Sequence, residues 1–152
     1  MMVYRLARAK YANNLLTSGA PNRWNTLGQQ VIYASGSISL CALELLAHTN
    51  GIRPDGTFKV MHIEIGQSAP IYGVNPKSLP TDWHLLAAYS ATQKMGAEWY
   101  NSMKYLLMRI PSAIITSEWN YVINTQHPDF EKEVKLVRSE DFFWDHRFPV
   151  EG

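Results

Sequence analysis

The sequence predicts an α+β fold in a single domain. Strand-like and helix-like runs follow one another without the regular β-α alternation that builds a doubly wound sheet. A length of 152 residues suits one hydrophobic core, large enough to fold without staples. The 46% hydrophobic and 18% charged content is that of an ordered globular chain with few charges.

In chain order, Met2 to Leu6 reads as a short strand, and Asn13, Asn14, Ser18, Gly19 and Pro21 mark a loop. Val31 to Ala34, bounded by Gly28 and Gly36, reads as a buried strand. Ser37 or Ser39 can cap the next helix, and Asn50-Gly51 stops it, which places Glu44 mid-helix. Phe58 to Ile65 alternates with a period of two, the pattern of a half-buried strand. A loop spans Pro70 to Pro80, and Thr81 and Asp82 offer a cap for a second helix running to about Met95. Lys104 to Ile110 and Ala113 to Thr116 are strand-like and meet at Pro111-Ser112, where the missing proline N–H implies a bulge or an edge. Val134 to Val137 forms a last strand, and Phe142 to Phe148 an aromatic closing segment. No repeat, linker or low-complexity tract interrupts this series.

The charges are nearly balanced, 14 Lys and Arg against 13 Asp and Glu, for a net +1 with no basic block, so nucleic acid is disfavoured as a main ligand. No apolar stretch reaches the length of a signal peptide or membrane span, and a cytoplasmic location away from the membrane is the expectation. The lone cysteine, Cys41, excludes a disulfide framework and suits a small buried hydrophobe. The histidines His48, His62, His84, His127 and His146 are scattered singly, so no metal site is expected. Neither a Gly-x-Gly-x-x-Gly nor a Walker-type phosphate loop occurs.

Between Arg23 and Arg53 one formally charged side chain occurs, Glu44, inside the apolar run Leu40 to Ala47. A carboxylate among aliphatic groups loses hydration on packing and needs a partner or a function. Residue chemistry alone favours the polar edge of a helix or an Arg23–Glu44 ion pair. Likewise, Tyr33 and Trp24 alone would be core aromatics.

A wider set of strings changes that balance. Arg23-Trp24-Asn25 followed by Gly28, Val31-Ile32-Tyr33-Ala34-Ser35 and Leu43-Glu44-Leu45-Leu46-Ala47-His48 resemble the first half of a RES domain, named for its arginine, glutamate and serine. Ile110-Pro111-Ser112-Ala113-Ile114, then Glu118 with Asn120-Tyr121-Val122-Ile123-Asn124, His127-Pro128-Asp129-Phe130 and Phe143-Trp144-Asp145-His146-Arg147 resemble the second half, in the family's order. The resemblance covers residues 1–152. It implies an ADP-ribosyltransferase-like mixed sheet with flanking helices, and the toxin of a type II toxin-antitoxin system that degrades NAD. Related members cleave NAD with phosphate or water, while others transfer ADP-ribose to a protein. The implied partner is an Xre-type helix-turn-helix antitoxin covering the active site. A non-catalytic binding domain is a third reading, and oligomeric state stays open.

Carried onto this chain, the resemblance implies a site of Arg23, Tyr33, Glu44 and Ser112, with Arg5 beside it. Glu44 would stabilise the oxocarbenium-like centre formed when the nicotinamide–ribose bond breaks. Arg23 has the planar fork for the NAD pyrophosphate or an attacking inorganic phosphate. Tyr33 could stack on a base or ribose or donate its hydroxyl, and Ser112 could bind a phosphate or ribose oxygen, without a triad to make it a nucleophile. Asn124, His127, Asp145 and Arg147 also match, but caps, turns and a local ion pair explain them. One departure is plain. RES domains commonly place glycine directly before the arginine, whereas here Ala20, Pro21 and Asn22 separate Gly19 from Arg23. Asn22 tolerates left-handed geometry and is the expected compensation.

Overall fold

The computed structural model describes residues 1–151. The strands, with the short helix that precedes the last of them, are β1 (Met2–Arg8), β2 (Val31–Ser35), β3 (Phe58–Ile65), β4 (Ile71–Gly73), β5 (Leu107–Pro111), β6 (Trp119–Asn124), α3 (Phe130–Glu133) and β7 (Val134–Phe142). The longer helices are α1 (Ile38–His48) and α2 (Tyr89–Ser102). The strands form one mixed sheet in the order β4-β5-β6-β2-β1-β3-β7, as an α+β fold requires.

Period-two alternation separates two cores across this sheet. Val31, Met108 and Val122 pack with Trp24, Trp83 and Trp99 on the face covered by α2. Their neighbours Ile32, Leu107 and Ile123 join Val3 and Ile63 on the other. β1 pairs with β3 along its whole length, but with β2 only where Tyr4 lies opposite Ser35. The sheet is therefore two ladders joined at one position. Past that joint, the Leu6 N–H donates to the Cys41 Sγ of α1 at 3.0 Å, so a thiol takes the bond a neighbouring strand would have taken.

The ends of α1 follow the sequence. The Ser37 hydroxyl accepts the Leu40 N–H, and Asn50 and Gly51 leave the helix at φ of 55° and 81°.

Five expectations are corrected. α2 starts at Tyr89, not at Thr81 or Asp82, because 81–88 is spent on successive turns closed by Trp83, Leu85 and Ala88 N–H groups. Ala113 to Thr116 is not a strand: the Ser112 hydroxyl accepts the Ile114 and Ile115 N–H groups, both at 3.0 Å, and turns the chain away. β6 follows instead at Trp119. The Pro70 to Pro80 loop contains β4, and the last strand runs on to Phe142. β3 is covered on both faces rather than half-buried, with Glu64 its one exposed residue.

Pro111 ends β5 two residues beyond Arg109, the last to pair with β4, so its missing N–H costs no ladder bond.

Candidate active site

A cleft of about 930 Å³ is lined by residues of β1, β2, β6 and α1 and by the chain between Ser18 and Trp24. Both ladders of the sheet thus contribute to it. Arg5, Arg23, Tyr33 and Glu44 all line this cleft.

Arg23 sits at the tip of a tight turn closed by reciprocal backbone bonds between Asn22 and Asn25 at 3.1 and 3.3 Å. The turn is fixed from three sides. The Tyr33 hydroxyl donates to Asn25 Oδ1 at 2.6 Å and accepts the Trp24 N–H at 3.2 Å. Gln93 of α2 donates to the Asn22 carbonyl, and Gly96 brings α2 so close that a Cβ there would lie 1.6 Å from the Trp24 carbonyl oxygen. The guanidinium of Arg23 donates to the Trp83 carbonyl at 3.0 Å and lies 4.8 Å from the Tyr89 ring centroid.

Asn22 does not adopt positive φ, contrary to expectation; its Oδ1 accepts the Arg23 N–H at 2.8 Å instead. The left-handed geometry stays with Gly19, at φ 71°, whose carbonyl accepts the Gly28 N–H. Distance along the chain has therefore separated the positive-φ residue from the arginine without removing either from the cleft.

Glu44 is half-buried on the second turn of α1. Its Oε1 accepts from Ser112 Oγ at 2.8 Å and from Asn120 Nδ2. Oε2 makes no hydrogen bond among the described residues. One oxygen is anchored and the other is free to act.

Ser112 donates once and accepts twice, the full capacity of a hydroxyl. It therefore holds Glu44 rather than offering itself to a phosphate or ribose oxygen. No Arg23–Glu44 ion pair forms: no carboxylate among the described residues pairs with Arg5 or Arg23.

Burial lowers the Arg5 pKa, an effect that the nearby Cys41 partly opposes. Burial also raises the Tyr33 phenol, only partly offset by the Trp24 N–H, so Tyr33 stays neutral.

Asn120 escaped the sequence reading of the site. Its signal was its membership of the string after Glu118, and its role depends on β6, which lies directly beside β2. The residues set aside behave as expected: Asn124 Oδ1 and His127 Nδ1 accept turn N–H groups, and Arg147 pairs with Asp145 at 2.9 Å. Phe143 is 84% exposed, while Phe142 and Trp144 stack edge to face. Among the described residues no group of three or more His, Cys, Asp or Glu side chains is placed to hold a metal. No helix among them is long and apolar enough to cross a membrane.

The RES domain profile matches residues 2–145. The chain belongs to the RES domain family. Toxin Res of Photorhabdus laumondii is 31% identical over 97% of this chain and 96% of its own length. Toxin Res of Yersinia enterocolitica is 32% identical over 97% of this chain and 99% of its own. The Prs ADP-ribosylating toxin of a Sphingobium species is 32% identical over 93% of this chain and 90% of its own.

Within this RES domain Cys41 lines the cleft, yet burial above all pushes its thiol up to about 11, against the lowering effect of the Leu6 N–H. At pH 7 about 10⁻⁴ of it is thiolate, the reactive form. Alkylation by iodoacetamide should therefore be far slower than that of a free cysteine at pH 7.5, and should rise roughly tenfold per pH unit to pH 10. Mass-spectrometric rates across that range check this, and a rate equal to free cysteine at pH 7.5 would contradict it.

Proposed function

We propose that this chain is a toxin that consumes NAD, passing its ADP-ribosyl group to inorganic phosphate or water. One observation carries the reading: two guanidinium groups without carboxylate partners share a cleft with a carboxylate whose second oxygen is free. The fork of Arg23 suits a pyrophosphate oxygen pair, and Arg5 supplies a second positive charge. The cleft volume lies at the upper end of the roughly 300–1,000 Å³ usual for small-molecule sites.

In the proposed step the C–N bond between ribose and nicotinamide breaks, and its electron pair leaves with the neutral nicotinamide. The positive ribose centre is stabilised by Glu44 Oε2 and captured by an oxygen of phosphate or water. Phosphate yields a phosphorylated ADP-ribose, and water yields ADP-ribose with release of a proton. Since the Tyr33 hydroxyl is committed to the Arg23 turn, its ring face is what it offers a ligand.

The toxin relatives support a toxin held in check by an antitoxin. That this partner is of the Xre helix-turn-helix type and that the pair works in the cytoplasm are part of the proposal, as the RES resemblance implies. The name of the Sphingobium relative supports a second reading, transfer of ADP-ribose to a cellular protein. The test is NAD loss by the purified protein with and without inorganic phosphate, with mass spectrometry of the products. Phosphorylated ADP-ribose formed only with phosphate means phosphorolysis, and plain ADP-ribose means hydrolysis. A target protein heavier by one ADP-ribosyl group favours the second reading. No NAD loss from a folded sample under any of these conditions overturns the proposal.

A further inference from the structure

Ser35 lines the cleft and lies within hydrogen-bonding reach of the Cys41 thiol, but it hydrogen-bonds to neither Arg23 nor Glu44. It is the last residue of β2, 4% exposed, and lies opposite Tyr4 on β1 and Asn120 on β6. It therefore occupies the one position where the two ladders of the sheet meet. As a directly opposed pair on antiparallel strands, Ser35 and Asn120 project to the same face. The Ser35 hydroxyl donates to Asn120 Oδ1 at 2.7 Å.

That bond has a directional consequence. A carboxamide has one acceptor end and one donor end. With Oδ1 held by the Ser35 hydroxyl, Nδ2 must face the other way, and there it meets Glu44 Oε1. A flipped amide would set two oxygens against each other at Glu44, which can only accept, and would oblige the Ser35 hydroxyl to accept where it now donates. Ser112 holds the same oxygen independently, so the pair of donors fixes which oxygen of Glu44 is left free.

We propose that Ser35 is a positioning residue: by holding the Asn120 amide in the orientation that Glu44 requires, it presents the free oxygen of Glu44 to the sugar of the bound dinucleotide. The proposal rests on the NAD reading for its kinetic part, but not for its structural part. Ser35 and Asn120 act after binding, on the reacting centre. Their loss falls on kcat, whereas loss of an Arg23 contact to the pyrophosphate falls on KM as well.

Two variants and one spectroscopic readout test it. In Ser35→Ala the kcat for NAD loss should drop at least tenfold with KM within about twofold, the pattern of a contact that matters only in the transition state. Ser35→Thr, which keeps the hydroxyl, should recover most of that loss. Asn120→Asp keeps the shape, removes the donor and should lose at least as much. Wild-type kcat in folded Ser35→Ala, or in Asn120→Asp should the serine variant not fold, overturns the proposal.

The amide readout does not need turnover. In wild-type protein the two side-chain N–H signals of Asn120 should be widely separated in a ¹H–¹⁵N spectrum, one being bonded to a carboxylate. In Ser35→Ala they should draw together. Unchanged Asn120 signals in that variant reject the orienting role even if the protein proves not to consume NAD. Absence of NAD loss with the signals behaving as stated rejects the functional reading alone.

Discussion

Replacing Glu44 by glutamine should lower the rate of NAD loss by at least ~10²-fold while the protein folds normally. The partners of Glu44 dictate how. Ser112 Oγ and Asn120 Nδ2 both donate to Oε1. A glutamine must therefore place its carbonyl oxygen there and turn its NH2 toward the position of Oε2. The variant loses the negative charge beside the ribose, and the group facing the sugar changes from acceptor to donor. Both changes fall on the transition state, where positive charge develops. Both anchoring bonds survive, so the thermal midpoint should stay close to wild type. Initial rates at saturating NAD with a melting curve of the same sample check this. A folded variant that turns over at the wild-type rate removes Glu44 from the mechanism.

The second large effect should come from Gly96, which does not line the cleft. A Cβ there would meet the Trp24 carbonyl oxygen at 1.6 Å and its carbonyl carbon at 2.6 Å, both backbone atoms that cannot swing aside. Alanine is the better helix former by about 1 kcal/mol, but overpacking in a well-packed core costs about 1–3 kcal/mol and occasionally more. A backbone collision of this depth lies at the upper end, so Gly96→Ala should be destabilised by roughly 2 kcal/mol. Its thermal midpoint should fall by roughly 4–8 °C. Relief requires α2 to back away from the turn that carries Arg23, taking with it Gln93 and Tyr89. Activity at a temperature where the variant is still folded should drop too, with KM raised. An unchanged melting temperature would mean that α2 and the Arg23 turn are not in contact.

The sequence exposed what is locally encoded. Arg23 and Glu44 stood out because the chain between them is uncharged, and β2, α1 and β3 followed from β-branched runs, a serine cap and a period of two. What it concealed depends on bonds between distant segments. The run Ala113 to Thr116 has strand composition, but a hydroxyl one residue earlier accepts two of its N–H groups and bends it. That single side chain displaced the strand by several residues and hid Asn120. The late start of α2 has a similar origin, since the turns before it are closed by backbone bonds that composition does not announce. The near-separation of the sheet into two ladders was illegible, because it rests on a Cys41 thiol taking a backbone N–H of a strand 35 residues away.

That joint also bears on when the candidate site first becomes complete during synthesis. β2 carries Tyr33 but finds its full ladder only on β6, and Glu44 finds its anchors only at Ser112 and Asn120. A nascent chain emerges N-terminal end first. It exposes Arg5, Arg23 and Glu44 early, yet cannot assemble them into a site until residue 124 has left the ribosome. The proposed NAD-consuming activity would thereby be withheld from the growing polypeptide until most of it has been made.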